Sequence, residues 1–112
     1  MSTGDPELDR VLAELQAQFR ARTADEVPLI ERHWAALQAG APARAEAAAL
    51  RRIVHRMAGS AGSFGFAAVS EAAIPLDDAI AFALERSDTE LAAASKDWGP
   101  LVTGLLAVCR SL

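Results

Sequence analysis

The stretch Leu50-Arg51-Arg52-Ile53-Val54-His55-Arg56-Met57-Ala58-Gly59-Ser60-Ala61-Gly62-Ser63-Phe64-Gly65-Phe66 decides how this chain folds. Advanced by about 100° per residue, Leu50, Ile53, Val54, Met57, Ala61 and Phe64 fall within about 100° of one another, the width of a core-facing helical stripe. His55 stands about 140° from Leu50 on the same wheel, with Arg51, Arg52, Gly59 and Gly62 around it. The spacing predicts a helix with one buried face and an imidazole turned to solvent. Gly65 and Phe66 read as the turn into the next helix, and Phe64 as core.

Working outward toward the N-terminus, Gly40-Ala41-Pro42 marks a break. Gly accepts the left-handed conformation that closes a helix, and Pro cannot extend the hydrogen-bond ladder. The central helix is therefore expected from about Ala43 to the Gly-rich stretch 59–65. Before the break, Thr23-Ala24-Asp25-Glu26 has the form of a capping box and predicts the start of a helix whose Val27, Ile30, Trp34 and Leu37 share one face. A shorter helix is expected ahead of it, opened by Asp5-Pro6 and carrying Leu8, Val11, Leu12, Leu15 and Phe19 at helical spacing.

Toward the C-terminus a further helix is expected from about Ala67 to Arg86, kinked or divided near Ala73 by Pro75. Ser87-Asp88 caps a last helix that turns Leu91, Trp98, Leu101, Val102, Leu105 and Leu106 inward and bends at Gly99-Pro100. Short connections between helices of this length favour antiparallel neighbours. The expected architecture is all-α: an antiparallel up-and-down four-helix bundle with an additional short N-terminal helix. It forms one domain over residues 1–112.

Composition bounds the function. With 112 residues the chain buries only about two-thirds of the surface it exposes when unfolded, enough for one modest core and too little for separate nucleotide and substrate domains. A self-sufficient ATP- or NAD-dependent enzyme is not expected on that ground. Eleven basic against fifteen acidic side chains give a net charge of −4, which opposes the phosphate neutralisation on which nucleic-acid binding rests. The single cysteine, Cys109, has no partner for a disulfide and no clustered ligands for a metal, so no metal site is expected and a reducing cytoplasm fits. Met1 to Asp5 lack the basic and apolar runs of an export signal, and no segment has the ~18 consecutive apolar residues of a membrane span.

The chemistry concentrates around His55. Glycine within a helix costs about 0.5–1 kcal/mol relative to alanine, so Gly59 and Gly62, one and two turns beyond the ring on its face, call for a reason other than helix formation. They clear a strip over which another protein's backbone could approach. Arg51, Arg52 and Arg56 place positive charge beside the ring, where it would favour a bound dianionic phosphoryl group.

The run His55-Arg56-Met57-Ala58-Gly59-Ser60-Ala61-Gly62-Ser63-Phe64-Gly65 resembles the signature of histidine-containing phosphotransfer (HPt) domains, roughly His-x-Leu-Lys-Gly-Ser-x-x-x-Leu/Phe-Gly. The likeness extends to length, acidic helical composition and a histidine midway along the chain. It implies a four-helix bundle phosphorylated on His55 that exchanges the group with an aspartate in the receiver domain of a response regulator or hybrid histidine kinase. It implies an intermediate of phosphotransfer without a kinase ATP-binding region or a cofactor of its own, the magnesium ion being the receiver's. Docking is expected at Gly59, Gly62, Ala58 and Ser60. The family's usual lysine is Ala58 here, so Arg52, Arg56 or Arg51 must supply the cation. The protein is expected to act as a monomer in the cytoplasm, away from nucleic acid and membrane.

The competing reading is a non-catalytic helical adaptor that binds a signalling partner without being phosphorylated. Other polar groups read as structural. His33 lacks an evident partner, Asp77-Asp78 point in different directions and make a poor acid/base pair, Trp34 and Trp98 are core candidates, and Cys109 is a small buried side chain.

Overall fold

The computed structural model describes residues 4–112; Met1–Thr3, part of the segment read for an export signal, lie outside them. Helix α1 (Pro6–Gln38) opens as its sequence dictates: the Asp5 carboxylate accepts the Glu7 and Leu8 N–H groups at 3.0 and 3.3 Å, and Pro6 occupies the first turn, where no donor is needed. It then continues for 33 residues without the expected interruption at Thr23-Ala24-Asp25-Glu26. Its buried residues Phe19, Thr23, Glu26 and Ile30 follow one another at intervals of four, three and four, so the inward stripe passes through the capping-box pattern without a change of phase. The separate short N-terminal helix is thus the first part of α1.

Gly40, with φ of +88°, closes the turn after α1 as its sequence predicts. Helix α2 (Ala43–Ser60) ends in a single 3-10 turn (Ala61–Phe64), and Gly65 at φ +89° reverses the chain into α3 (Ala67–Leu84). A Cβ on Gly65 would lie 3.1 Å from Gln16 Nε2, whose amide donates to the Phe64 carbonyl at 2.8 Å, so the turn is pinned to α1.

Pro75 does not divide α3, and Pro28 does not divide α1. Each removes one donor, but the carbonyls left over, on Ala24 and Glu71, belong to exposed residues, on the solvent side of their helices. The C-terminal part differs the other way. The single bent helix of the sequence reading is two, α4 (Asp88–Ser95) and α5 (Gly99–Arg110), because Pro100 cannot donate back across the junction and instead sits in the first turn of α5. Ser87 caps α4 by accepting the Glu90 N–H at 3.2 Å.

The described residues contain helices and no strands. α2 packs on α3, α1 and α4, while α3 and α1 both meet α5. Contacts run in reverse order along α1 and α2: Phe19 stacks on Phe66 at 4.9 Å just past the end of α2, Glu26 pairs with Arg56, and His33 meets Glu46 at 2.7 Å. His33 therefore has a partner that its sequence neighbours do not reveal. The core is built from Leu50, Val54 and Met57 of α2, Leu76 and Ile80 of α3, and Leu105 of α5, all essentially free of solvent. Arg44 of α2 donates to the Leu84 and Arg86 carbonyls at 2.7 and 2.6 Å, which ties the C-terminus of α3 to the start of α2. Among the described residues no helix is long and apolar enough to cross a membrane.

Candidate functional site

α2 carries the site because its sequence separates two faces. Leu50, Ile53, Val54 and Met57 are buried, and His55, between them in sequence, stands on the opposite side with 64% of its side chain exposed. The ring is not free to turn. Its Nδ1 lies 2.8 Å from Oδ2 of Asp77, a side chain on α3 with only 12% exposure. The other oxygen of that carboxylate, Oδ1, accepts from Nε of Arg51 at 3.1 Å. With Nδ1 against a carboxylate, the ring presents Nε2 outward.

Asp77 is the partner of His55 that sequence reasoning missed. Its pairing with Asp78 suggested nothing, and the two do diverge: Asp78 is exposed while Asp77 is buried toward α2. The local sequence holds no sign of a contact that joins two helices across a turn. Only the helical phase of α3, with Ala73, Leu76 and Ile80 inward, hints that Asp77 sits at the edge of the buried face.

The three arginines part company. Arg51 is taken by Asp77, and Arg56 forms an ion pair with the buried carboxylate of Glu26 on α1. Arg52 is exposed, one turn before His55, and among the described residues its guanidinium has neither a hydrogen bond nor an ion pair. The chain thus leaves one of the three uncommitted beside the ring.

The glycines behave as clearance. A Cβ built on Gly59 or Gly62 would meet nothing within 4 Å, and neither has a positive φ. Neither packing nor backbone geometry requires glycine there, and both positions are exposed. Ala58 is half-buried, its carbonyl accepting the Ser70 hydroxyl of α3 at 2.7 Å, and the Ser60 hydroxyl turns back onto the Arg56 carbonyl at 2.7 Å. Both border the strip without offering a free polar group to it.

Beyond the ring, the 3-10 turn is held by aromatic contacts: Phe19 lies 5.9 Å from Phe64 and 4.9 Å from Phe66, and the Arg20 guanidinium covers Phe66 at 5.0 Å. Among the described residues no three His, Cys, Asp or Glu side chains are grouped so as to hold a metal ion.

The arrangement defines a solvent-facing imidazole, anchored through Nδ1 to a buried carboxylate, beside cleared backbone on an all-helical scaffold. The chain belongs to the Hpt domain family, whose model matches residues 7–109, nearly its whole length. That family serves histidine phosphotransfer in two-component phosphorelays, and its members interact with receiver domains of response regulators. Comparisons with the curated proteins and with solved structures gave no match.

Proposed function

We propose that this chain is a phosphorelay carrier that accepts a phosphoryl group on Nε2 of His55 and exchanges it with an aspartate of a receiver domain. The observation that carries the reading is the exposed Nε2 edge of a ring whose Nδ1 faces Asp77, set beside two glycines that no internal contact demands. The scaffold of the proposal is an antiparallel four-helix bundle of α1, α2, α3 and α5, acting as one domain. Its setting is the cytoplasm, with the receiver of a response regulator or hybrid histidine kinase as partner.

The domain does little of the chemistry beyond positioning. Phosphoryl transfer depends on aligning donor and acceptor and on neutralising the oxygens of the group in flight. His55 supplies the nucleophile, Arg52 supplies a mobile cation in place of the family's lysine, and Gly59 and Gly62 let the partner's backbone come close. Exchange requires release as well as capture, so the complex is small and short-lived.

Incubation with a phosphorylated receiver tests the reading. The chain should acquire an acid-labile, base-stable label, and His55→Gln should lose it while its helical circular dichroism is unchanged. Label that persists in His55→Gln overturns the proposal.

A further inference from the structure

Where α1 turns into α2, the two helices and α4 frame a recess of about 610 Å3. It opens beside the first turn of α2, and His55 stands about 18 Å further along that helix at 1.5 Å per residue. Trp34 and Leu37 of α1, both half-buried, form one apolar wall. The facing wall is the side of α4 that carries Ala92 and Ser95, whose small side chains leave the space between unfilled. A Cβ on Gly99 would lie 3.6 Å from Cζ2 of Trp34, so the start of α5 backs the indole and holds it in place.

Most of the polar lining is already committed. The Arg44 guanidinium donates to the Asp88 carboxylate and to the Leu84 and Arg86 carbonyls at 2.7, 2.7 and 2.6 Å. The Ser95 hydroxyl donates to the Ala92 carbonyl at 2.8 Å. Two donors remain. Among the described residues the Lys96 ammonium and the Gln38 amide have neither a hydrogen bond nor an ion pair, and both border the recess. Arg44 and Lys96 against Asp88 leave the lining with one cation in excess, on a chain whose net charge is −4. Pro42, at the cap of α2, makes no side-chain capping bond, so the amides of that first turn add partial positive charge on the same side.

We propose that this recess is a binding site for a small aromatic carboxylate, its rings against Trp34 and Leu37 and its carboxylate on Lys96, with Gln38 as a second donor. The volume is in the range of small-molecule sites, which combine apolar walls with a few placed polar groups. The indole favours a flat, apolar body, because stacked rings gain more than the area they bury. The excess cation matches a single negative charge. A cationic ligand would meet Lys96 and Arg44, and a wholly polar anion would leave the Trp34 wall without a partner. Binding is reversible and involves no covalent step. The site is separate from the phosphotransfer reading and stands whether or not His55 carries a phosphoryl group.

Titration of 1-naphthylacetate into the 15N-labelled chain, followed through its amide signals, tests the proposal. Saturable shifts should be confined to residues 37–44 and 92–96, with a dissociation constant of about 1 mM or tighter. The uncharged 1-naphthylacetamide and the ringless acetate should each bind several-fold more weakly. Lys96→Ala should weaken binding of the acid about twofold to fivefold, the range for a solvent-exposed ion pair, and Lys96→Arg should restore it. Ala92→Phe should fill the space and abolish binding while the helical circular dichroism is unchanged. Absence of saturable shifts, or shifts scattered over other faces, would show a water-filled cleft and overturn the site. Equal affinity for the acid and its amide, or an unchanged affinity in Lys96→Ala, overturns the anionic class.

Discussion

Glu26 of α1 and Arg56 of α2 form an ion pair across the α1–α2 interface, with the carboxylate buried and the guanidinium half-exposed, one residue from His55. The pair explains why α1 runs unbroken beside the site and why Arg56 is unavailable to a phosphoryl group. Removing the cation from such a pair leaves a desolvated carboxylate without a partner.

Arg56→Ala should therefore destabilise the fold by about 1–3 kcal/mol, a value below that for a wholly buried pair because the guanidinium is half in water. Arg52→Ala should leave stability within about 0.5 kcal/mol, since its side chain is exposed and unpaired, yet should slow phosphoryl exchange several-fold. Urea unfolding together with transfer kinetics checks both. A larger stability loss at Arg52 than at Arg56 would contradict the assignment.

Gly59 and Gly62 should show the reverse pattern. With open space around a Cβ at both positions, Gly59→Ala should raise stability by about 0.5–1 kcal/mol through helix propensity alone. Gly59→Leu and Gly62→Leu should keep the fold and block exchange with a receiver, because the added side chain stands where the partner approaches. Thermal melts paired with exchange rates separate the two effects; parallel losses of folding and transfer would assign these glycines to packing.

The expected start of a helix at Thr23 shows how a local signal is outweighed. Thr-x-x-Glu is the sequence of a capping box, but its reading requires Thr23 to leave the helix, and the inward phase from Phe19 to Ile30 holds it there. Glu26 then turns to Arg56, a partner far along the chain that no local pattern announces. By contrast, the faces of α2 were legible because helical period alone separates His55 from Leu50, Ile53 and Val54. The open glycines were legible for a related reason: their cost to the helix demanded an explanation. Asp77 was not legible, because its role exists only once α3 lies against α2.

Thr23 itself supplies a further expectation. Its hydroxyl is buried and has no hydrogen-bond partner among the described residues. Replacement by an isosteric methyl removes that desolvated group, so Thr23→Val should raise stability by about 1 kcal/mol without affecting phosphoryl exchange. A chemical-denaturation midpoint that falls would show that the hydroxyl is satisfied by ordered water.

Burial pushes the Cys109 thiol pKa above its ordinary value, with the neighbouring Arg110 opposing the shift. A raised pKa means that the folded state favours the neutral thiol. The contribution to stability is complete below the unfolded-state pKa and is lost as pH rises through the folded one, so it weakens only in alkaline solution. Iodoacetamide at mildly alkaline pH should modify the native protein far more slowly than the urea-unfolded chain. Equal rates would place the thiol at the surface.

A carrier must give up what it accepts, so return of the group tests the account most directly. The chain, labelled on His55 and freed of donor, is mixed with an unphosphorylated receiver, and the label is followed on both proteins. The account predicts loss from His55 matched by gain on the receiver's aspartate, with Gly59→Leu slowing both together. Label that leaves His55 only as inorganic phosphate, with none reaching the receiver, would contradict it.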